Sequence, residues 1–278
     1  MLPIFLTSYF VFTLCSWFGF NAGSAVDIYN TDQPLNLPAI SSAVVNTALA
    51  GSSAGLVALF LNLFIQERIL GEPMFKLSAA MNGCLTGLSA VTGSCAFIEP
   101  WAAIVIGLVA GCVYLFSSHL LVKFRLDDAV DAIPVHLFGG CWGLIATAFF
   151  ASPRGLKYYY GLGDESDVAH VGAFYSWGQG SFDLNMLACQ LIGIVFILGW
   201  TTATMLPFFL FLSYLGILRS DSFEELVGLD VSYHGYTPRV VGDEIGKDQL
   251  NTYLKRTGKH NLELNPEEDN TGTDRFED

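Results

Sequence analysis

An all-α, polytopic transmembrane helical bundle is the fold the sequence predicts, and three observations predict it. Hydrophobic residues make up 52% of the chain and charged residues only 14%, against about 25% charged in an ordinary soluble protein; the mean hydropathy is +0.47. Apolar runs of about 20 residues, the length that crosses a bilayer core, recur six times between residues 3 and 218. Four of those runs carry two glycines four residues apart: Gly51/Gly55, Gly83/Gly87, Gly107/Gly111 and Gly139/Gly143. Such pairs let helix backbones approach closely in lipid, and their recurrence predicts a compact bundle.

The six predicted spans cover residues 3–24, 41–66, 77–98, 101–122, 132–151 and 184–218. Only Glu99-Pro100 separates the third from the fourth, which predicts a tight helical hairpin. The sixth run, about 35 residues, would be roughly 50 Å long as a helix. It must tilt, kink or project into water, and Pro207 supplies a kink point by freeing a carbonyl one turn earlier.

Beyond the spans, residues 219–278 are polar, poor in aliphatics and mostly acidic, and they carry much of the net charge of −13. They read as a separate solvated tail after a membrane domain of residues 1–218. A negative tail argues against nucleic-acid binding and against docking on anionic lipid heads. Six cysteines fall in or beside apolar runs without a CxxC pair. They read as small hydrophobes, with no disulfide framework, metal site or cofactor indicated. Met1-Leu2-Pro3 has no basic n-region, so the first span is expected to act as its own insertion signal.

Orientation follows from the basic residues near span ends. Arg68, Lys76, Lys123, Arg125 and Arg219 fall on one side, and Arg154 and Lys157 on the other. By the positive-inside rule both termini are cytosolic, with the loops 26–40 and 152–183 outside.

His136 is the leading candidate functional residue. It heads the glycine-rich fifth run behind Asp127, Asp128 and Asp131, and an ionisable side chain in a membrane span is costly to bury, which makes it a functional-site candidate by default. At α-helical spacing it shares a face with Gly139, Gly140 and Gly143, which fits a lumen and equally fits close helix packing. On the first span, Trp17, Phe20, Asn21 and Ser24 share a face at the outer end. Aromatic rings attract a cation within about 6 Å and the serine hydroxyl can accept a hydrogen bond from it; an interfacial aromatic belt with helix packing is the competing reading.

Residues 127–136, Asp-Asp-Ala-Val-Asp-Ala-Ile-Pro-Val-His, resemble a signature of the ammonium transporter (Amt/Rh) family. The likeness extends to Trp17-Phe-Gly-Phe-Asn-Ala-Gly-Ser24, Val45-Asn46-Thr47, Met81-Asn-Gly-Cys-Leu-Thr-Gly-Leu88 and the tail motif Gly228-Leu-Asp-Val-Ser-Tyr-His-Gly235. The double acid and Val-His-Leu-Phe-Gly-Gly look more like animal Amt members than Rh glycoproteins. Where the family has a Thr-Pro-Ala-like turn, this chain reads Thr92-Gly93-Ser94.

The resemblance implies ammonium/ammonia transport through a histidine-lined pore, and no enzyme. Phe20 would match a gating phenylalanine, Ser24 the hydroxyl of the outer recruitment site, with Trp17 in the same motif, and His136 the second of two pore histidines. Asp128 and Asp131 would match acids at the cytosolic mouth, although as residues they read better as helix caps. It also implies that the chain is the C-terminal half of an eleven-helix fold, helices six to eleven. The first pore histidine, the partner phenylalanine, a recruitment tryptophan and the acid supporting the outer site would belong to the other half. A homotrimer in the plasma membrane is implied, or else a non-conducting subunit that associates with full-length relatives and modulates them.

Overall fold

The computed structural model of the chain describes residues 2–24, 37–70 and 75–219. The tail motif, with Ser232 and His234, and His260 lie outside these residues, as does most of the first outer loop. The described residues are mostly helical: α1 (Leu2–Ser24), α2 (Leu37–Leu70), α3 (Leu77–Val91), α4 (Pro100–Phe124), a π-helical turn (Ile133–Phe138) that runs into α5 (Gly139–Phe150), the short α6 (Pro153–Tyr160) and α7 (Ala173–Gly178), and α8 (Asn185–Tyr214). The chain falls into two compact units, residues 1–199 and 200–278, with the boundary inside α8. In the second unit the helix passes through Pro207 without a break and ends at Tyr214, followed by Gly216 at φ 72°.

Four helical stretches among the described residues are long and apolar enough to cross a membrane: Leu37–Ile65, Pro100–Phe124, Ile133–Phe150 and Asn185–Tyr214. Leu2–Ser24 has 23 residues, and Leu77–Val91 is a shorter apolar helix.

α2 is the hub of the first unit, and small residues make it so. Ala43, Ala50, Ala54 and Ala58 form a fully buried stripe against which α3 and α4 lay their glycines. A Cβ at Gly87 would come 2.5 Å from the Ala54 methyl, and one at Gly111 2.6 Å from the Ala54 carbonyl oxygen. One at Gly107 would meet the Ser53 hydroxyl and the Ala50 backbone. Lipid is as apolar as leucine, so helices in it gain little by hiding hydrophobic side chains from solvent. They associate through close backbone packing, which these positions permit only to glycine.

The third span departs from expectation. α3 stops at Val91 and the connection to α4 occupies residues 92–99, a bend made without proline. Ser94 and Cys95 donate their N–H groups to the Val91 carbonyl at 3.0 and 2.8 Å. The Asn46 side chain, fully buried on α2, then donates to the carbonyls of Cys95 and Ile98 at 2.8 and 2.9 Å. A buried loop survives only where such groups find partners. Ala96 and Ile98 are apolar because they are packed, which is why the sequence reads there as more span. Ile98 pairs with Ala151 across an isolated bridge, so the bend also receives the end of α5.

The outer connection 152–183 has structure of its own. Ser152 caps α6 by accepting from the Gly155 N–H at 2.9 Å, with Pro153 at the first helical position. Ala151, Leu156 and Val171 form a small core beneath it. At its end the His170 ring nitrogen Nδ1 meets Asp183 Oδ2 at 2.8 Å. The Asn185 N–H, followed by this contact, holds the Asp183 carboxyl below its usual range.

Candidate functional site

The site is built on the π-helical turn. Pro134 at its start removes a donor, and the N–H of Gly139 reaches back five residues to the Pro134 carbonyl. A π turn inserts one residue into the α register, about 100° of helix rotation. It turns His136 relative to the three glycines that follow, which keep their own α-helical spacing in α5. Gly139 and Gly143 press on α3, where a Cβ would strike Thr86 and the Ala90 backbone respectively, whereas nothing stands within 4 Å of one on Gly140. Close packing and open space, both expected beside His136, are both present at different glycines.

His136 is exposed at this opening. Its ring lies on Trp17 of α1, with centroids 6.5 Å apart and planes 12° from parallel. Phe20, one turn further along α1, meets Trp17 edge-on at 6.4 Å and is itself exposed. The Trp17 indole N–H donates to the Thr92 hydroxyl at 2.9 Å, which in turn donates to the Leu88 carbonyl. The α3 bend thus holds the tryptophan nearly parallel to the imidazole. Asn21, buried on the same helix one turn further along, donates to Thr47 of α2 at 2.8 Å and anchors α1 there. Ser24 ends α1, exposed.

Beside His136 lies a cavity of about 260 Å³. α3 and its bend contribute Ser89, Thr92 and Gly93. The π turn and α5 contribute His136, Leu137, Gly140, Cys141, Gly143 and Leu144, and α8 contributes Ile194, Ile197 and Leu198. Apart from the imidazole, two hydroxyls and a thiol, its wall is apolar. Among the described residues no three His, Cys, Asp or Glu side chains gather as metal ligands.

The two acids before the turn do different things. Asp128 accepts from the N–H groups of Ala132 and Ile133 at 2.9 and 2.7 Å, the contacts of a helix cap. Asp131, at φ 58°, reaches away from its own helix. It accepts from the Tyr114 hydroxyl at 2.8 Å, the Ser118 hydroxyl at 2.9 Å and the Asn82 amide at 3.3 Å. Tyr114 and Ser118, a turn apart on α4, carried no sequence signal. Thr92 stood out in the sequence only as part of an altered turn, and nothing there tied it to Trp17, 75 residues away.

These side chains all lie within residues 10–238, which the Ammonium Transporter Family model matches. The chain belongs to the ammonium transporter family. Over 221 residues it is 39% identical to "Ammonium transporter 3" of Dictyostelium discoideum, a match that takes in 79% of this chain and 46% of the relative. Over 219 residues it is 37% identical to "Ammonium transporter 1 member 1" of Arabidopsis thaliana, with 79% and 42% covered. Among solved structures, "Sensor Amt Protein" is 27% identical with a TM-score of 0.61, over 82% of this chain and 48% of that one. The crystal structure of Saccharomyces cerevisiae Mep2, 24% identical, shares the fold with a TM-score of 0.61 over 77% and 42%. The chain is thus a membrane protein of a transporter family, not an enzyme, and it spans about half the length of the curated relatives it matches.

Proposed function

We propose that this chain supplies one wall of a pathway for ammonium and ammonia, corresponding to the C-terminal half of an ammonium transporter. The observation that carries the reading is the imidazole of His136 stacked on Trp17, with Phe20 beside it, at the edge of a small apolar cavity. Moving a bare ammonium ion into such surroundings carries an idealised cost of tens of kcal/mol. Giving up its proton removes most of that cost and leaves ammonia, which still needs a hydrogen-bond partner. A neutral imidazole both donates and accepts. Ammonia is close to water in size, and water's share of liquid volume is about 30 Å³, so the cavity has room for it.

In this reading Ser24 and the Trp17 and Phe20 rings recruit ammonium at the outer end of α1, the proton is shed, and ammonia passes His136. Both termini are cytosolic, the membrane is the plasma membrane and the working assembly is a trimer. The exposed apolar side chains on α2 and α4, among them Leu56, Phe60, Ile104, Leu108 and Phe116, also favour a second reading. In it the chain associates with full-length relatives and modulates them without conducting.

Methylammonium influx separates the two. The chain is expressed in cells lacking ammonium uptake, alone and together with a full-length relative. Because it spans about half of its relatives, the chain alone is expected to be silent. With the relative, the pathway reading requires influx above that of the relative by itself, and loss of the increment in His136→Ala. A fall in the relative's influx that His136→Ala leaves unchanged overturns the pathway and supports the modulator.

A further inference from the structure

Asp131 does something that neither helix capping nor a charge at a pore mouth explains. The residue stands two positions before the π-helical turn, its backbone is left-handed at φ 58°, and its carboxylate leaves its own segment to take hydrogen bonds from two other helices. Oδ2 accepts from Tyr114 of α4 and Asn82 of α3, and Oδ1 accepts from Ser118 of α4. Asp128 meanwhile accepts from the first free N–H groups of the fifth segment, so the local capping function is already filled. A left-handed backbone is uncommon at any residue other than glycine, least so at Asn and Asp, and it persists where surrounding contacts over-determine it; three charge-assisted hydrogen bonds do so here. The main chain enters the π turn directly from this anchor, since the Val135 N–H bonds the Asp131 carbonyl at 3.1 Å. His136 is the next residue.

We propose that Asp131 is a positioning residue for His136. By fastening the entry of the π-helical turn to Asn82, Tyr114 and Ser118, it sets the rotation at which the imidazole leaves the helix and meets Trp17. The device transmits the spacing of α3 and α4 to the ring, because both helices hold the same carboxylate. It rests on the reading of His136 as the group that faces the permeant. The geometry of the ring is nevertheless measurable without any transport.

The test reads the His136 ring by NMR in the full chain, labelled with 13C-histidine and reconstituted in lipid nanodiscs. The His136→Ala variant assigns the resonance among the five histidines. A ring nearly parallel to Trp17 at 6.5 Å carries a ring-current displacement whose sign and size Trp17→Leu calibrates by removing it. Asp131→Ala is expected to lose most of that displacement. Asp131→Asn is expected to keep it, because an amide oxygen still accepts from Tyr114 and Asn82 while its NH2 donates to the Ser118 oxygen. Where Asp131→Ala does not fold, the double variant Tyr114→Phe/Ser118→Ala removes the two hydroxyl donors and is expected to lose the displacement in part. A folded Asp131→Ala or double variant with the His136 resonance unmoved overturns the proposal. So does an Asp131→Asn protein that behaves like Asp131→Ala, which would assign the effect to charge. A ring that moves as expected in a protein without transport effect leaves the positioning intact and removes the proposed pathway instead.

Discussion

Gly107 is where the packing argument can be made to fail. In Gly107→Ala the new methyl would stand 2.9 Å from the Ala50 Cα and closer still to the Ala50 carbonyl and the Ser53 hydroxyl. Ordinary van der Waals contact for a Cβ begins at 3.4 Å. The Ser53 hydroxyl can rotate, but the α2 backbone cannot, so α4 must draw back by at least half an ångström (3.4 − 2.9 Å). Overpacking of this kind costs about 1–3 kcal/mol, and backbone contact on α2 puts it near the upper end. Replacing a helical glycine by alanine returns about 1 kcal/mol of helix propensity. The net loss is about 1–2 kcal/mol, or a fall of roughly 2–8 °C in melting temperature for a domain of this size. The assay is the thermal loss of the monodisperse peak of the detergent-solubilised protein on size exclusion, with Gly140→Ala as the matched control. Nothing stands within 4 Å of a Cβ at Gly140, so that variant should melt at or above the parent. A Gly107→Ala protein as stable as the parent, or a Gly140→Ala protein that loses as much, refutes the account of glycine-mediated contact.

Three further outcomes follow from the same geometry. Asn46→Ala strands the carbonyls of Cys95 and Ile98 in the bend; with buried unpaired groups at about 1–3 kcal/mol each and membrane hydrogen bonds averaging about 0.6 kcal/mol, a loss of about 1–4 kcal/mol should appear in the same melting assay. Trp17→Phe keeps a ring against His136 but removes the N–H to Thr92, so a loss of about 0.5–1.5 kcal/mol is expected, smaller than that of Trp17→Ala, which also forfeits the stack. In the outer connection the folded Asp183 carboxyl titrates below its usual 3.8; its contribution is full above that value and lost as pH falls through the lowered one. Protection factors for hydrogen exchange in residues 170–183, referred to the intrinsic rate at each pH, should therefore fall on acidification below about pH 4, and in Asp183→Asn they should already be lower at neutral pH.

The glycine pairs and His136 were legible in the sequence because each breaks a rule locally. A glycine in a membrane helix needs a reason, and so does an ionisable ring. Their partners were less so. Thr92 and Tyr114 are ordinary residues in apolar runs until the fold brings Trp17 and Asp131 to them across long separations. The bend over 92–98 was hidden because a buried loop needs the same apolar side chains as a span. The π turn is hidden because an apolar run reads at 3.6 residues per turn; it rotates His136 relative to Gly139, Gly140 and Gly143, which face α3 or open space by their own α-helical spacing. Asp128 and Asp131 look alike in the sequence, and only the reach of each carboxylate distinguishes the two.

The Asn46 bonds also set an order on biosynthesis. The amide is followed by its acceptors 49 and 52 residues later in the chain. At about 5–20 residues per second, α2, which ends at Leu70, is complete roughly 1–5 s before the first of these carbonyls has been synthesised. Through that interval a polar amide in the middle of an apolar segment has no protein partner, and released into hydrocarbon it would be unsatisfied. α2 is therefore best retained at the insertion machinery, near water, until the 92–99 bend arrives, and then leaves with α3 and α4 as one unit. The residue that locks the finished bundle is thus also the one that makes its second helix dependent on what the ribosome has yet to make.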